Sequence, residues 1–241
     1  LYPTVKITLP LKDAEIQGVA VIRPKKFIIC IPSQIGCPIQ CKFCKAPSFR
    51  RNLTINEIQR LIDYLLRFNK EKKPVLLSFM GVGEPSLNLD AVGKVIKENK
   101  FAKYAISTCG YNPLVFEIDP KIKIQVSLNA PTEEIRAVLM PKAPSLKLTL
   151  ERTKVFLINY DLNYVLIRDV NDRDEDASDL AALLKEYQFS RIKINRYNET
   201  GDFFPSKRTK KFIRVLERAG IEVEYYETDG REIQAACGQL V

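Results

Sequence analysis

Short apolar runs alternate with amphipathic stretches along the chain, which predicts strands alternating with helices. Ile16–Ile22 and Phe27–Ile31 read as a hairpin joined through Arg23-Pro24-Lys25-Lys26. Between Thr54 and Phe68, residues Ile55, Ile58, Leu61, Ile62 and Leu65 recur on one helical face. Thr54, with Glu57 three residues on, is the expected N-cap of that helix. Strands are expected at Pro74–Met80, Tyr104–Ser107, Ile122–Leu128, Tyr164–Arg168, Arg191–Asn195 and Ile221–Tyr226. Helices are expected at Ala91–Lys97, Glu133–Val138, Thr149–Ile158, Glu175–Tyr187 and Lys207–Ala219. Glu175–Tyr187 opens on acidic residues, as the helix dipole favours, and Gly220 closes the last helix.

Repeated βα units with apolar strands imply a parallel sheet flanked by helices. Some six units are too few for a full TIM barrel. The expected fold is therefore α/β: a partial (β/α)6 TIM-like barrel with a short N-terminal β-hairpin extension. Residues 1–31 are the expected extension, packed on the core, and residues 32–241 the barrel. No linker, repeat or low-complexity tract divides the chain. Polar turns close four of the strands: GVGEP after Met80, STCG after Ile106, SLNAP after Val126 and NRYN after Ile194. One such turn is ordinary turn chemistry. Four on the edge where parallel barrels bind ligands point to a site.

Composition narrows the chemistry. The chain has 241 residues, 46% hydrophobic and 28% charged, which is usual for a soluble globular protein. No apolar run is long enough to span a membrane. The chain begins at Leu1 and shows no leader pattern, so a cytoplasmic protein is expected. With 38 Lys+Arg against 29 Asp+Glu, the net charge of +9 suggests a polyanionic partner, nucleic acid first. There is no His. That excludes Ser-His-Asp triads, Cys-His dyads and His-ligated metals, and leaves sulfur or oxygen to hold any metal.

The six cysteines are Cys30, Cys37, Cys41, Cys44, Cys109 and Cys237. A disulfide framework belongs to small secreted chains, whereas clustered cysteines in a cytosolic chain bind metal or perform redox chemistry. Residues 37–44 read CPIQCKFC, or C-x3-C-x2-C. Three thiolates on one loop can hold three irons of a 4Fe–4S cluster, for which full ligation takes four. The fourth iron then keeps an open position, able to chelate a substrate through an amine and a carboxylate. Phe43, just before the third cysteine, can shield the cluster. A structural zinc site needs a fourth ligand from Cys30, Cys109 or Cys237. A thioredoxin-like Cys41–Cys44 pair leaves Cys37 unexplained. Taken alone, Cys30 among Ile28, Ile29 and Ile31 reads as a buried strand cysteine.

C-x3-C-x2-C is the signature of the radical S-adenosylmethionine (SAM) superfamily, and GVGEP resembles that superfamily's glycine motif. The resemblance implies the radical SAM type of partial barrel. It also implies an open iron that chelates SAM, and a reduced cluster that cleaves SAM to methionine and a 5′-deoxyadenosyl radical. CIPSQIGCPIQCKFC, FRRNLT, MGVGEPSLNLD, STCG, SLNAPTEEIR, VNDRDEDASDLAALL and ACGQL narrow it further. Together they resemble the RlmN/Cfr family, radical SAM enzymes that methylate adenine in RNA, from about Ile16 to Val241. The most specific part is a Cys seven residues before the cluster motif paired with the C-terminal ACGQL.

The resemblance implies a route and the residues for it. Cys237 accepts a methyl group from one SAM. The radical from a second SAM abstracts hydrogen from that S-methyl, and the methylene radical adds to the adenine carbon. Cys30 assists loss of the ring proton and resolves the adduct as a transient Cys30–Cys237 disulfide, which must then be reduced. Cys37, Cys41 and Cys44 are the implied cluster ligands. Gly83, Glu84, Ser107, Ser127, Leu128, Asn129 and Asn198 are the implied SAM contacts. Cys109, in STCG, is read as a passive small residue. Implied partners are an RNA substrate (rRNA or tRNA), a one-electron reductant such as flavodoxin or ferredoxin, and a thiol reductant.

There are departures from the family. Asn129 stands where the family usually has His, and Asp229 where it often has Arg. Gln17 stands where it often has a Glu base, with Glu15 the nearest acid. Family members usually carry an N-terminal helical domain, and fewer than thirty residues precede Cys30, so a compact form lacking that domain is expected. Arg23, Lys25 and Lys26, then Arg50 and Arg51, then Lys207, Arg208, Lys210 and Lys211 beside Phe203-Phe204 are basic segments suited to RNA. C2 of adenine is the favoured target. C8, another substrate, and a non-catalytic cysteine-zinc RNA-binding protein are the alternatives.

Overall fold

The computed structural model describes residues 2–112, 119–154, 159–201 and 203–241. β1 (Thr4–Pro10), β2 (Glu15–Ile22) and β3 (Phe27–Ile31) form an antiparallel meander, with Pro10 opposite Glu15 and Ile22 opposite Phe27. The β2–β3 hairpin is the expected one. β1 is an addition: only its Leu9 is buried, so the apolar pattern that announces a strand is weak there. β4 (Gln34–Ile35) and β5 (Arg51–Asn52) make a short antiparallel ladder that clasps the base of the cysteine loop.

α1 (Ile55–Leu66) carries the expected capping box, with Thr54 and Glu57 satisfying each other's backbone amides. It buries Ile58, Leu61, Ile62 and Leu65. β6 (Val75–Phe79), α2 (Leu89–Glu98), β7 (Lys103–Thr108), β8 (Ile122–Ser127), α3 (Glu133–Leu139) and α4 (Leu146–Lys154) follow. Then come β9 (Tyr160–Leu166), α5 (Asp174–Glu186), β10 (Arg191–Arg196), α6 (Thr209–Arg218) and β11 (Glu222–Tyr226). α4 begins earlier than expected, and the expected end of that helix at 155–158 lies outside the described residues. β9 also begins earlier, at Tyr160, because the polar Asp161 and Asn163 in it face inward rather than forming a loop. α6 starts two residues late: the Arg208 amide donates to Ser206 Oγ at 2.9 Å, which holds the chain in a turn.

One sheet contains nine strands in the order β1-β2-β3-β6-β7-β8-β9-β10-β11. Every pairing from β3 onward is parallel. β3 thus ends the N-terminal meander and is also the first strand of the parallel set. The edge strands β1 and β11 do not pair with each other, so the sheet curls into a partial barrel and leaves a seam.

Each parallel strand has two unlike faces, as alternation requires. Phe27, Ile29 and Ile31 of β3 are buried in the main core, while Ile28 and Cys30 line the inner hollow. The same parity puts Ser78, Ser107, Gln125, Ser127, Asn163 and Asn195 on the inside. Outward, Leu77, Ile106, Ile124, Leu162 and Ile194 join the core with residues of the covering helices.

Arg51 on β5 secures the start of α1. Its guanidinium donates to both Asp13 carboxylate oxygens, at 2.6 and 2.9 Å, and to both of Glu57, at 2.8 and 2.9 Å. The arginine holds Asp13 down from the usual 3.8 to about 2 and lowers Glu57 as well. Depressed carboxylates stabilise the fold above their unfolded pKa and cease to do so as pH falls through the folded value. An Arg51→Gln variant should therefore be less stable than wild type at neutral pH, with the gap closing between 3.8 and about 2. Urea midpoints measured against pH will show this; a gap that persists below that window contradicts it.

Candidate active site

The inner hollow is a cavity of about 530 Å³, bounded at the strand C-termini by the cysteine loop and the C-terminal segment. All four polar turns expected at that edge lie there and contribute to its lining.

The cysteine loop is held as a hairpin. The Cys37 amide donates to Pro47 O at 2.8 Å, and the Lys42 amide to Leu139 O at 2.9 Å. Gly36 has φ +71°, and a Cβ there would stand 2.1 Å from Ser48 O, so the turn into the loop requires glycine. Cys37, Cys41 and Cys44 all face the cavity, with Phe43 between the last two. Burial pushes Cys37 up to about 11 and raises Cys41 and Cys44, and the thiols of Cys37 and Cys44 add to the effect at Cys41. Ligation requires thiolates, so metal binding here releases protons.

These residues fit an iron–sulfur cluster. Three thiols from one short loop meet at one end of the cavity. Among the described residues, no three ligating side chains converge tightly enough for a single metal ion. A cluster attaches its cysteines to different irons and holds them further apart.

The glycine turn after β6 packs directly behind the loop. Gly83 has φ +112°, and a Cβ there would lie 2.6 Å from Ser33 Oγ, itself buried without a partner. Glu84 is buried. Its Oε1 accepts from the Ser86 amide at 3.0 Å, its Oε2 from the Cys109 amide at 2.8 Å, and its own amide donates to Gln34 at 2.8 Å. Gly83, Glu84, Ser107, Ser127, Asn129 and Asn198 all line the cavity. Leu128 does not: its side chain is fully buried in the main core, and only its backbone lies near the site. Asn129 has φ +59°, and its side chain is committed, with Oδ1 accepting from the Val165 amide at 2.9 Å. Asn198 Nδ2 donates to Cys237 O at 3.0 Å, while its Oδ1 is buried and unpartnered, an acceptor left free in a cavity of size suited to a nucleoside ligand. Cys109 is buried in the small core beside the loop, in keeping with a passive role.

Cys30 and Cys237 come together. Cys30 projects from β3 between Val19 and Ser78, and the nearby Cys237 joins burial in raising its pKa. Cys237 is exposed, and the surface it exposes faces the cavity. Its Sγ lies 3.5 Å from Met80 Sδ. The loop that carries it is pinned at three points: Gly238 O accepts from the Lys45 amide at 2.8 Å, Gln239 Nε2 donates to Glu199 O at 3.1 Å, and Asn198 holds Cys237 O. Both cysteines are free thiols.

Residues 31–181 match the radical SAM superfamily. Over 98% of its length the chain is 35% identical to a probable dual-specificity RNA methyltransferase RlmN from Malacoplasma penetrans, covering 74% of that protein. It is 32% identical to the dual-specificity RNA methyltransferase RlmN from Buchnera aphidicola, covering 73% of it. The chain belongs to the RlmN/Cfr family of the radical SAM superfamily. A crystal structure of a radical SAM methyltransferase from Sphaerobacter thermophilus superimposes with a TM-score of 0.89 at 28% identity, covering 98% of this chain and 77% of that one. Radical SAM enzymes use a 4Fe–4S cluster and SAM, and the thiol loop and the free Asn198 acceptor fit the two.

Glu15 and Gln17 are not among the residues that line the active cavity: both sit at a small outer pocket, where Gln17 Oε1 accepts from the Val241 amide at 3.1 Å. Two of the basic residues named as suited to RNA are engaged in ion pairs: Arg23 with Asp229 at 2.7 Å, and Arg51 with Asp13 and Glu57. The Arg23–Asp229 pair bridges the seam between the β2–β3 turn and the C-terminal segment.

Two site residues escaped the sequence reading. Thr228 Oγ1 accepts from Asn198 Nδ2 at 3.4 Å, and its hydroxyl opposes the rise that burial imposes on the Cys237 pKa. Arg136 is almost fully buried beneath two of the site turns. It donates to Ser127 O at 3.1 Å, Leu128 O at 2.5 Å, Cys109 O at 3.1 Å and Pro144 O at 2.7 Å. The only sequence signal for it was a basic residue in an otherwise acidic helix start, TEEIR. Arg136→Met should leave these carbonyls unsatisfied, costing about 3 kcal/mol. A urea midpoint unchanged in that variant would remove Arg136 as the support of the two turns.

Proposed function

We propose that this protein methylates an adenine ring carbon in RNA, with C2 favoured, through an S-methylcysteine at Cys237 and a transient Cys30–Cys237 disulfide. The observation that carries the reading is the placement of two free thiols, 207 positions apart (237 − 30), in one cavity beside the three-cysteine loop. RNA enters the reading through the curated relatives, named as RNA methyltransferases.

When bound, SAM and the cluster supply a methyl electrophile and, after one-electron reduction, a hydrogen-abstracting radical. The Cys237 sulfur takes the methyl group, an attack that needs its thiolate. Burial raises the Cys237 pKa, and the Thr228 hydroxyl opposes that rise. Loss of a hydrogen atom from the S-methyl, to the radical that SAM would supply, leaves a methylene radical on Cys237, which bonds to the ring carbon; the one electron that the adduct must lose would return to the cluster, oxidised in cleaving SAM. The Cys30 thiolate removes the ring proton. Its sulfur then attacks the Cys237 sulfur, the C–S bond breaks, and the released carbon takes a proton to become the methyl group. A thiol reductant resets the disulfide. Burial, and then the neighbouring Cys237, raise the Cys30 pKa, so its thiolate, once formed, is a strong base; the proton it takes from the ring is the one the released carbon receives as the Cys30 sulfur bonds to Cys237.

Mass spectrometry should find one added methyl group on the peptide bearing Cys237 after anaerobic reconstitution with SAM. A Cys30→Ala variant should accumulate RNA covalently attached to Cys237, because nothing resolves the adduct. No methyl on Cys237 with ample SAM defeats the reading. Nucleoside analysis of the modified RNA assigns C2 or C8.

A further inference from the structure

The alternation that turns Cys30 into the hollow also places charge at its opposite end. Lys103, Lys123, Asp161, Lys193 and Glu224 sit on β7, β8, β9, β10 and β11 with inward parity, toward the strand N-termini. Lys26, immediately before β3, has the same parity. Asp161 is nearly buried and contacts Lys123 at 2.6 Å, Arg191 at 3.1 Å and Lys193 at 3.5 Å. Lys193 also reaches Glu224 at 3.2 Å. Three cations thus share two carboxylates, and Lys26 and Lys103 lie beside them.

Lys26 and Lys103 are solvent-exposed and make no salt bridge among the described residues. Partial desolvation, followed by the like charges of Arg23, Lys103 and Lys193, lowers the Lys26 pKa. Lys26 and Lys193 line the same cavity as Cys30 and the cysteine loop, so the hollow runs the full height of the sheet. At its other end the cysteine loop and the C-terminal loop are bonded to each other through Lys45 and Gly238. Lys26 lies four strand residues from Cys30, about 13 Å along β3. A nucleotide turned out of its strand can reach inward from phosphates held at such a rim.

We infer that the basic rim whose unpaired cations are Lys26 and Lys103 is the docking surface for RNA phosphates, and that the target nucleotide enters the barrel from the end opposite the cysteine loop. This rests on the RNA-methylation reading. It differs from docking on the basic start of α6, whose residues do not line the cavity. Excess cations at the mouth of a hollow raise the local concentration of a polyanion and steer it inward.

Binding of a hairpin RNA to the full chain, followed by fluorescence anisotropy across a range of KCl concentrations, tests the inference. The pair Lys26→Ala and Lys103→Ala should weaken binding about tenfold and reduce the slope of log affinity on log salt by about 2. The pair Lys26→Arg and Lys103→Arg should bind as wild type. Thermal midpoints confirm that the variants fold, and Lys26→Gln alone gives a milder second reading, with a slope loss of about 1. Wild-type binding by the alanine pair, or loss only in a Lys207→Ala and Lys210→Ala pair, overturns the inference and leaves RNA methylation standing. Loss confined to reduction by an acidic flavodoxin makes the rim a protein-docking surface and also overturns it. A wild-type chain that binds no RNA overturns the RNA reading itself.

Discussion

The structure depends on a barrel that does not close. In a complete TIM barrel the strand interiors pack against one another in layers and leave no space. Here β1 and β11 stay apart, so the inward faces have no partner across the middle. The outward faces bear the burial, with Phe27, Ile29, Leu77, Ile106, Leu162 and Ile194 sealed in the core. The inward faces are then free to be polar. Ser78, Ser107, Gln125, Asn163 and Asn195 occupy positions where a closed barrel demands branched apolar side chains. Stability and chemistry are thereby assigned to opposite faces of the same strands.

The seam created by this arrangement is bridged by the C-terminal segment. Asp229 takes Arg23 across the gap, and Lys6 Nζ donates to Gln234 O at 3.1 Å. Beyond them the chain turns inward, and Gly238, at φ +82°, packs against the backbone of Phe43. The segment that bridges the seam is the one that brings Cys237 to the cysteine loop.

Much of this was legible in the sequence because it is local. The α1 cap is visible as Thr54 and Glu57, and the turns at the strand ends as runs of Gly, Ser, Asn and Pro. The cysteine loop announces itself by spacing. What escaped depends on contacts between distant positions. Thr4–Pro10 becomes a strand because β2 offers an edge, not because its own pattern is strong. Arg136 gains its role from carbonyls on three other segments, and Thr228 from a cysteine nine positions later (237 − 228). Arg23 and Arg51 read as free surface charge until their carboxylate partners, Asp229 and Asp13, are placed beside them. Leu128 was drawn into the site by its neighbours, but strand alternation turns its side chain outward.

The pinning of the Cys237 loop also orders events during synthesis. β3, with Cys30, and the cysteine loop leave the ribosome before the residues that cover them. The residues that cover them, from Asn198 to Gln239, follow more than 150 positions later (198 − 44 = 154). Contacts so distant in sequence form late and slowly. Until they form, the thiols of residues 37–44 stand in an open trough rather than an enclosed one. The growing chain thus has an interval in which those sulfurs are reachable from outside, and docking of the Cys237 loop ends it.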